Sequence, residues 1–157
     1  MTVAGFIRSE VRQHLVELIE ARASGAVAVA RGFPGPFLMA DQIWITGTTG
    51  EVSLDVFAGR ARPTDDRFTI SFLCMASVQG RSIDEAEGIA QSFAELVLDA
   101  VHDESLDSFE SGNTYVISTR LGRCDDYCEG RDTGYAAFYT IDLDVHTRTR
   151  YSGADAQ

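Results

Sequence analysis

Residues 134–149 read GYAAFYTIDLDVHTRT, and the alternation in this stretch decides the fold. Tyr135, Ala137, Tyr139, Ile141, Leu143 and Val145 take one parity without interruption. Ala136, Phe138, Thr140, Asp142, Asp144 and His146 take the other. Successive side chains of a strand point to opposite faces, so the pattern predicts a strand with one face in a core and one face wet. Burial on one side belongs to antiparallel sheets.

Working outward, residues 113–121 (NTYVISTRL) predict the antiparallel partner, with GRCDDYCEGRD as the loop between the two. Upstream, 67–78 (RFTISFLCMASV) alternates in the same way. Phe68, Ile70, Phe72, Cys74, Ala76 and Val78 line one face; Thr69, Ser71 and Ser77 share the other with Leu73 and Met75. Shorter strands are predicted at 27–31, 41–46 and 51–58, the last two separated by GTTG, and GRARPTDDR is read as a loop before residue 67. Two helices complete the set. Over 6–23, Ile7, Val11, Leu15, Leu18 and Ile19 recur at three- and four-residue steps, and Gly25 supplies a stop. Ser82 and Glu85 form a capping box that opens the second helix. Its stripe is Ile83, Ala90, Phe93, Ala94, Val97, Leu98 and Val101, running to about residue 102. DESLDSFESGN follows as an acidic loop.

The resulting order is α-β-β-β-β-α-β-β. It predicts an α+β fold: a mostly antiparallel sheet with two helices packed on one face. Its 157 residues are read as a single domain over 1–150, with 151–157 as a frayed tail.

Charge bounds the function. Asp and Glu number 24 against 13 basic residues, a formal net charge of −11, which is the wrong sign for a protein that grips phosphates. It remains compatible with a conduit through which DNA slides without sticking. Every basic residue is arginine, as a GC-rich coding genome produces. The first helix carries Arg8, Glu10, Arg12, Glu17 and Glu20, so it reads as neither a signal peptide nor a membrane span.

Chemistry is sparse. Cys124 and Cys128, four residues apart with carboxylates between them, are the nearest approach to a zinc motif. No second Cys pair accompanies them, and His14, His102 and His146 lie far apart, so the pair reads as two reduced cysteines in a hairpin loop. Cys74 reads as a small buried hydrophobe. Asp142 and Asp144 share the wet face at two-residue spacing, read as solubility or an intersubunit pair before a catalytic dyad. No phosphate-binding glycine loop, nucleophile elbow or HExxH is present. The expectation is a protein with no catalytic site, no metal and no cofactor. Strands of twelve residues or more reach ~40 Å, longer than a domain of this size needs for its own core, and their edges must be covered or used.

Six stretches carry a resemblance: EVRQHLVELIEARA, DQIWITGTTGEV, RFTISFLCMASV, RSIDEAEGIAQSFAELV, YVISTRLGR and AAFYTIDLDV. In element order and spacing the chain resembles the tail terminator, or tail completion, proteins of long-tailed phages of actinobacteria. The resemblance implies a virion protein, assembled in the host cytoplasm, with no membrane association. It implies a ring of identical subunits, six-fold in the family. Such a ring ends polymerisation of the tail tube at its head-proximal end and meets both the tube protein and the head–tail connector protein. DNA passes through the lumen.

Within that frame the 32–39 loop (Phe33, Phe37, Leu38) and Trp44 are candidate subunit contacts, the alternatives being a loop folded over the chain's own core for 32–39 and core packing for Trp44. The 123–132 hairpin tip, with Arg123, Asp125, Asp126 and Arg131, is the candidate contact with tube or lumen. Rival readings are a head-completion protein, a tube subunit, a small ligand-binding or enzymatic α+β domain, and a zinc-dependent interaction module.

Overall fold

The computed structural model describes residues 6–23, 25, 27–32, 41–57, 60–103, 106–131 and 134–150, with backbone alone for 52–57, 60–64, 103, 107, 131 and 134. Helix α1 spans Arg8–Ala23 and is followed by the short strand β1, Ala28–Ala30. Two long strands come next, β2 (Gln42–Phe57) and β3 (Arg60–Ser77). Helix α2 covers Ile83–Asp103, and a 3-10 turn at Leu106–Ser108 leads into β4, Glu110–Ser111. The chain closes on β5 (Thr114–Arg131) and β6 (Gly134–Thr149).

Among the described residues the fold is α+β, with two helices and a six-stranded sheet in the order β1-β2-β3-β6-β5-β4. The mostly antiparallel sheet expected from sequence is a mixed one. β1 runs parallel to β2, while the β2–β3, β3–β6, β6–β5 and β5–β4 pairings are antiparallel. Parallel neighbours need a connection longer than a hairpin turn, and residues 31–41 provide one.

The alternation in β3 and β6 places the core residues where parity predicts except at the start of β6, where Tyr135, expected in the core, is 62% exposed and Ala136 and Phe138, expected on the wet face, are buried. Phe68, Ile70, Phe72, Cys74 and Ala76 of β3 are buried, as are Ala137, Ile141, Leu143 and Val145 of β6. These residues form one cluster with Val11, Leu15 and Ile19 of α1 and Ala90, Phe93, Ala94 and Val97 of α2. Each large side chain removed from water there contributes roughly 1.5–3 kcal/mol. Residues of the opposite parity build a second cluster from Trp44, Met75, Ala136 and Phe138, with Ala30 and Leu73 packed against it.

Capping at α2 follows the sequence: Ser82 Oγ accepts from the Glu85 backbone N–H at 3.2 Å. The apolar stripe departs from it at one residue, because Ile83, in the first helical position, is half exposed while Ala86 and Ala100 are buried.

Three segments read as turns or loops are strand instead. GTTG lies inside β2, where the register shifts between Ile45 and Gly47 and the strand continues. Thr46 spans the irregularity, its Oγ1 donating to the Ser71 carbonyl at 3.2 Å. Gly50 is a close-approach glycine: a Cβ there would lie 2.6 Å from Phe68 Cα. The Pro-containing GRARPTDDR belongs to β3 from Arg60 onward, with Pro63 opposite Leu54 at a second register shift, where a missing ladder hydrogen bond is tolerated. GRCDDYCEGRD is mostly β5, which reaches Arg131 by absorbing two residues between Leu121 and Cys124. DESLDSFESGN also holds structure: Leu106 is buried, and Gly112, at φ 61°, turns β4 into β5.

The hairpins are long and point in opposite directions. β3 pairs with β6 from Asp65↔Arg148 to Ser77↔Ala136. The closing pair of the first hairpin, Phe57↔Arg60, therefore lies beyond the Arg148 end of the sheet. The closing pair of the second, Arg131↔Gly134, lies beyond the Ser77 end.

Candidate assembly surface

The wet face of the sheet is stitched across strands. Thr69 Oγ1 donates to Asp144 Oδ1 at 2.6 Å and Ser71 Oγ to Asp142 Oδ1 at 2.8 Å. Arg120 Nη2 reaches Asp144 Oδ2 at 3.5 Å. Asp142 and Asp144 therefore sit ~7 Å apart along β6, as two-residue spacing in a strand requires, and each is held by a hydroxyl of the neighbouring strand. At one end of this face Arg148 Nε donates to Asp65 Oδ1 at 2.9 Å, with His146 Nε2 3.4 Å from the same oxygen. The Arg148 hydrogen bond holds the Asp65 carboxyl below the usual range.

Two further ion pairs fix the frame. Arg8 of α1 grips Asp66 of β3 through Nε at 2.7 Å and Nη2 at 2.6 Å, and Asp66 is only 1% exposed. Asp66 raises the Arg8 pKa, mainly by this hydrogen bonding. Arg81 holds Asp41 through two bonds of 2.9 Å, and Asp41 Oδ1 also accepts from the Ser77 backbone N–H at 3.1 Å. The start of β2 is thus tied to the turn before α2. Hydrogen bonding to Arg81 is the main reason the Asp41 carboxyl lies below its ordinary value.

The cysteines divide by environment. Cys74 is buried, and desolvation pushes its thiol up to about 12. Cys124 and Cys128 are exposed on β5, and Cys128 Sγ donates to Glu87 Oε1 of α2 at 3.3 Å. Desolvation raises both thiols; Asp125 and Asp126 add to the effect at Cys124, and Glu87 at Cys128. Among the described residues no group of three or more His, Cys, Asp or Glu could hold a metal ion.

The candidate contact residues are distributed as follows. Trp44 is 5% exposed and packs in the second cluster with Met75, Ala136 and Phe138. Phe33, Phe37 and Leu38 lie outside the described residues. Arg123, Asp125 and Asp126 are on strand β5 rather than in a hairpin tip, and Arg123 Nε pairs with Asp125 Oδ2. Arg131 ends the same strand; its side chain lies outside the described residues.

Sequence reasoning misses the edge character of β5. From Arg120 to Cys124 and from Asp126 to Gly130 every residue is exposed. With neither parity buried there, no apolar alternation marks the strand. On its helix-facing side Leu121, half exposed, helps to line a cavity of about 530 Å³ with Phe72, Val97, Val101, Leu106 and Leu143. Among the described residues no helix is long and apolar enough to cross a membrane.

No protein-family model matches the chain, and no curated protein matches it. Among solved structures, a chain of the virion of a native gene transfer agent particle is similar, with a TM-score of 0.53 over 90% of this chain and 94% of that one. At 8% identity the likeness is one of fold.

Proposed function

We propose that this protein is a structural component of a phage-type virion, and that it acts as a tail terminator. In this role copies close into a ring, six-fold as in the family it resembles, at the head-proximal end of the tail tube. The ring stops tube growth and joins the tail to the head–tail connector protein. It works by contact alone, without catalysis, cofactor or membrane.

The observation that carries the reading is the fold likeness to a chain of the gene transfer agent virion, which spans nearly the whole of both chains. Net charge supports it: at −11, carboxylates that face a lumen repel phosphate within a Debye length of roughly 8 Å. Asp142 and Asp144, already fixed by Ser71 and Thr69, are placed to hold such charge without side-chain rearrangement. A second reading, a tube subunit, shares the fold argument and differs in how assembly ends.

Native mass spectrometry of the purified protein, alone and with the tube protein, separates the two. A closed species at six times 17.1 kDa with nothing larger is expected. Open-ended growth of the protein alone would make it a tube subunit. A stable dimer at every concentration would sink both readings.

A further inference from the structure

The outermost strands of the sheet cover very little of their neighbours. β1 meets β2 only at Gln42, Ile43 and Trp44, and β4 meets β5 only at Thr114 and Tyr115. One further backbone bond, from the Val116 N–H to the Phe109 carbonyl, extends the cover of β5 by a residue. Past these contacts, residues 45–57 of β2 and 117–131 of β5 have no further strand beside them among the described residues. Long edges of this kind present rows of main-chain donors and acceptors and are templates for strand addition.

Strand direction selects the partner. β2, β3, β6 and β5 are antiparallel in turn, so β2 and β5 run opposite ways on opposite sides of the sheet. A second copy related by rotation about an axis along the strands keeps its strand direction. It would therefore bring its β2 antiparallel to the first copy's β5, and the alternation would continue across the boundary. Pairing β5 with β5 about a two-fold axis would leave both β2 edges open, whereas β5 with β2 uses both edges of every copy in one repeated contact.

Charge favours the same pairing. β2 carries Glu51 and Asp55 and no basic residue. Residues 116–123 of β5 (VISTRLGR) carry Arg120 and Arg123 and no acidic residue. The side chains of these arginines are 82% and 76% exposed, and their intrachain pairs with Asp144 and Asp125 are accordingly weak. For copies that each carry −11, an acid-only strand against an arginine pair is where mutual repulsion turns to attraction. An added strand would also cover the half-exposed Leu121 at the mouth of the cavity beside α2.

We propose that the outer edge of β5 over residues 117–124 docks the outer edge of β2 over residues 45–52 of a second copy as an added antiparallel strand, the two stretches that the strand registers place at the same height. The inference rests on the assembly reading above and specifies the contact through which assembly occurs.

Hydrogen–deuterium exchange on the full chain, followed by segment across a dilution series with native mass spectrometry in parallel, tests it. On assembly the amides of 45–52 and 117–124 should slow together, by about tenfold or more. Arg120→Glu with Arg123→Glu should weaken assembly, and Glu51→Arg in the same chain should restore part of it. A six-fold ring whose two edges exchange as in the monomer overturns the edge contact and leaves the ring reading standing. An open-ended polymer with both edges protected keeps the contact and overturns the terminator role. A dimer protected only at 117–124, or a chain that stays monomeric throughout, overturns the contact.

Discussion

Arg8→Ala should be among the most damaging single substitutions outside the apolar core. Arg8 grips Asp66 through two bonds of 2.6 and 2.7 Å, and Asp66 is 1% exposed, so removing the guanidinium leaves an acidic group buried without its counter-ion. Breaking a buried pair on one side costs about 3–5 kcal/mol. The Arg8 side chain is itself 27% exposed, so water can enter the vacated space, which puts the expected loss at the low end, about 3 kcal/mol. The guanidinium also lies 5.3 Å from the Phe68 ring centroid, and the substitution removes that cation–π attraction too. For a chain of this size 1 kcal/mol moves the melting point by roughly 2–4 °C, so a drop of about 6–12 °C follows. Urea titration monitored by fluorescence of Trp44, the sole tryptophan and a buried one, measures the free energy directly. The control is Arg8→Met with Asp66→Leu, which removes both charges and should come within about 1 kcal/mol of wild type. The reasoning fails if Arg8→Ala costs less than about 1 kcal/mol, or if the double variant is no better than the single one.

Acid sensitivity should trace to Asp41 and Asp65, whose folded pKa values lie below their unfolded ones. Their contribution is present above the unfolded carboxylate value of about 4 and is lost as pH falls through the depressed folded values; Arg81→Gln should flatten the stability–pH slope below about pH 4. Gly50→Ala should destabilise by about 1–3 kcal/mol, because its Cβ would meet Phe68 Cα at 2.6 Å. Gly47→Ala, with open space around it, should not; thermal melts of the pair decide the point. Thiol labelling at neutral pH should modify exposed Cys124 and Cys128 in the folded protein and reach Cys74 only in denaturant. Fast labelling of Cys74 would mean that the sheet opens beneath α2.

The parts of the fold legible in the sequence are those where one face packs and the other does not. β6 and the second half of β3 announce themselves because Ile70, Phe72, Ile141 and Leu143 alternate with hydroxyls and carboxylates that never leave water entirely. The helices are readable for the same reason at a different period. GTTG, GRARPTDDR and GRCDDYCEGRD are not, since their glycine, proline and charge are the local signature of turns. What makes them strand is non-local: cross-strand bonding to β3, β2 and β6 carries the backbone on after the core has ended. The candidate site is legible in part. Arg123, Asp125 and Asp126 stand out in the sequence, but as a loop, and the open edge they occupy depends on strand order, which no local pattern encodes. Trp44 stands out by its chemistry, while its burial against Met75 and Phe138 needs the register of three strands.

The opposed hairpins give the molecule a head and a foot. One end of the strand axis is marked by the Phe57↔Arg60 pair and the other by Arg131↔Gly134. Copies related by rotation about that axis all point the same way, so any closed set of them has two chemically different rims. A partner that recognises one rim has no binding site on the other. Orientation along a particle's axis is then inherited from chain connectivity within each subunit and needs no separate signal.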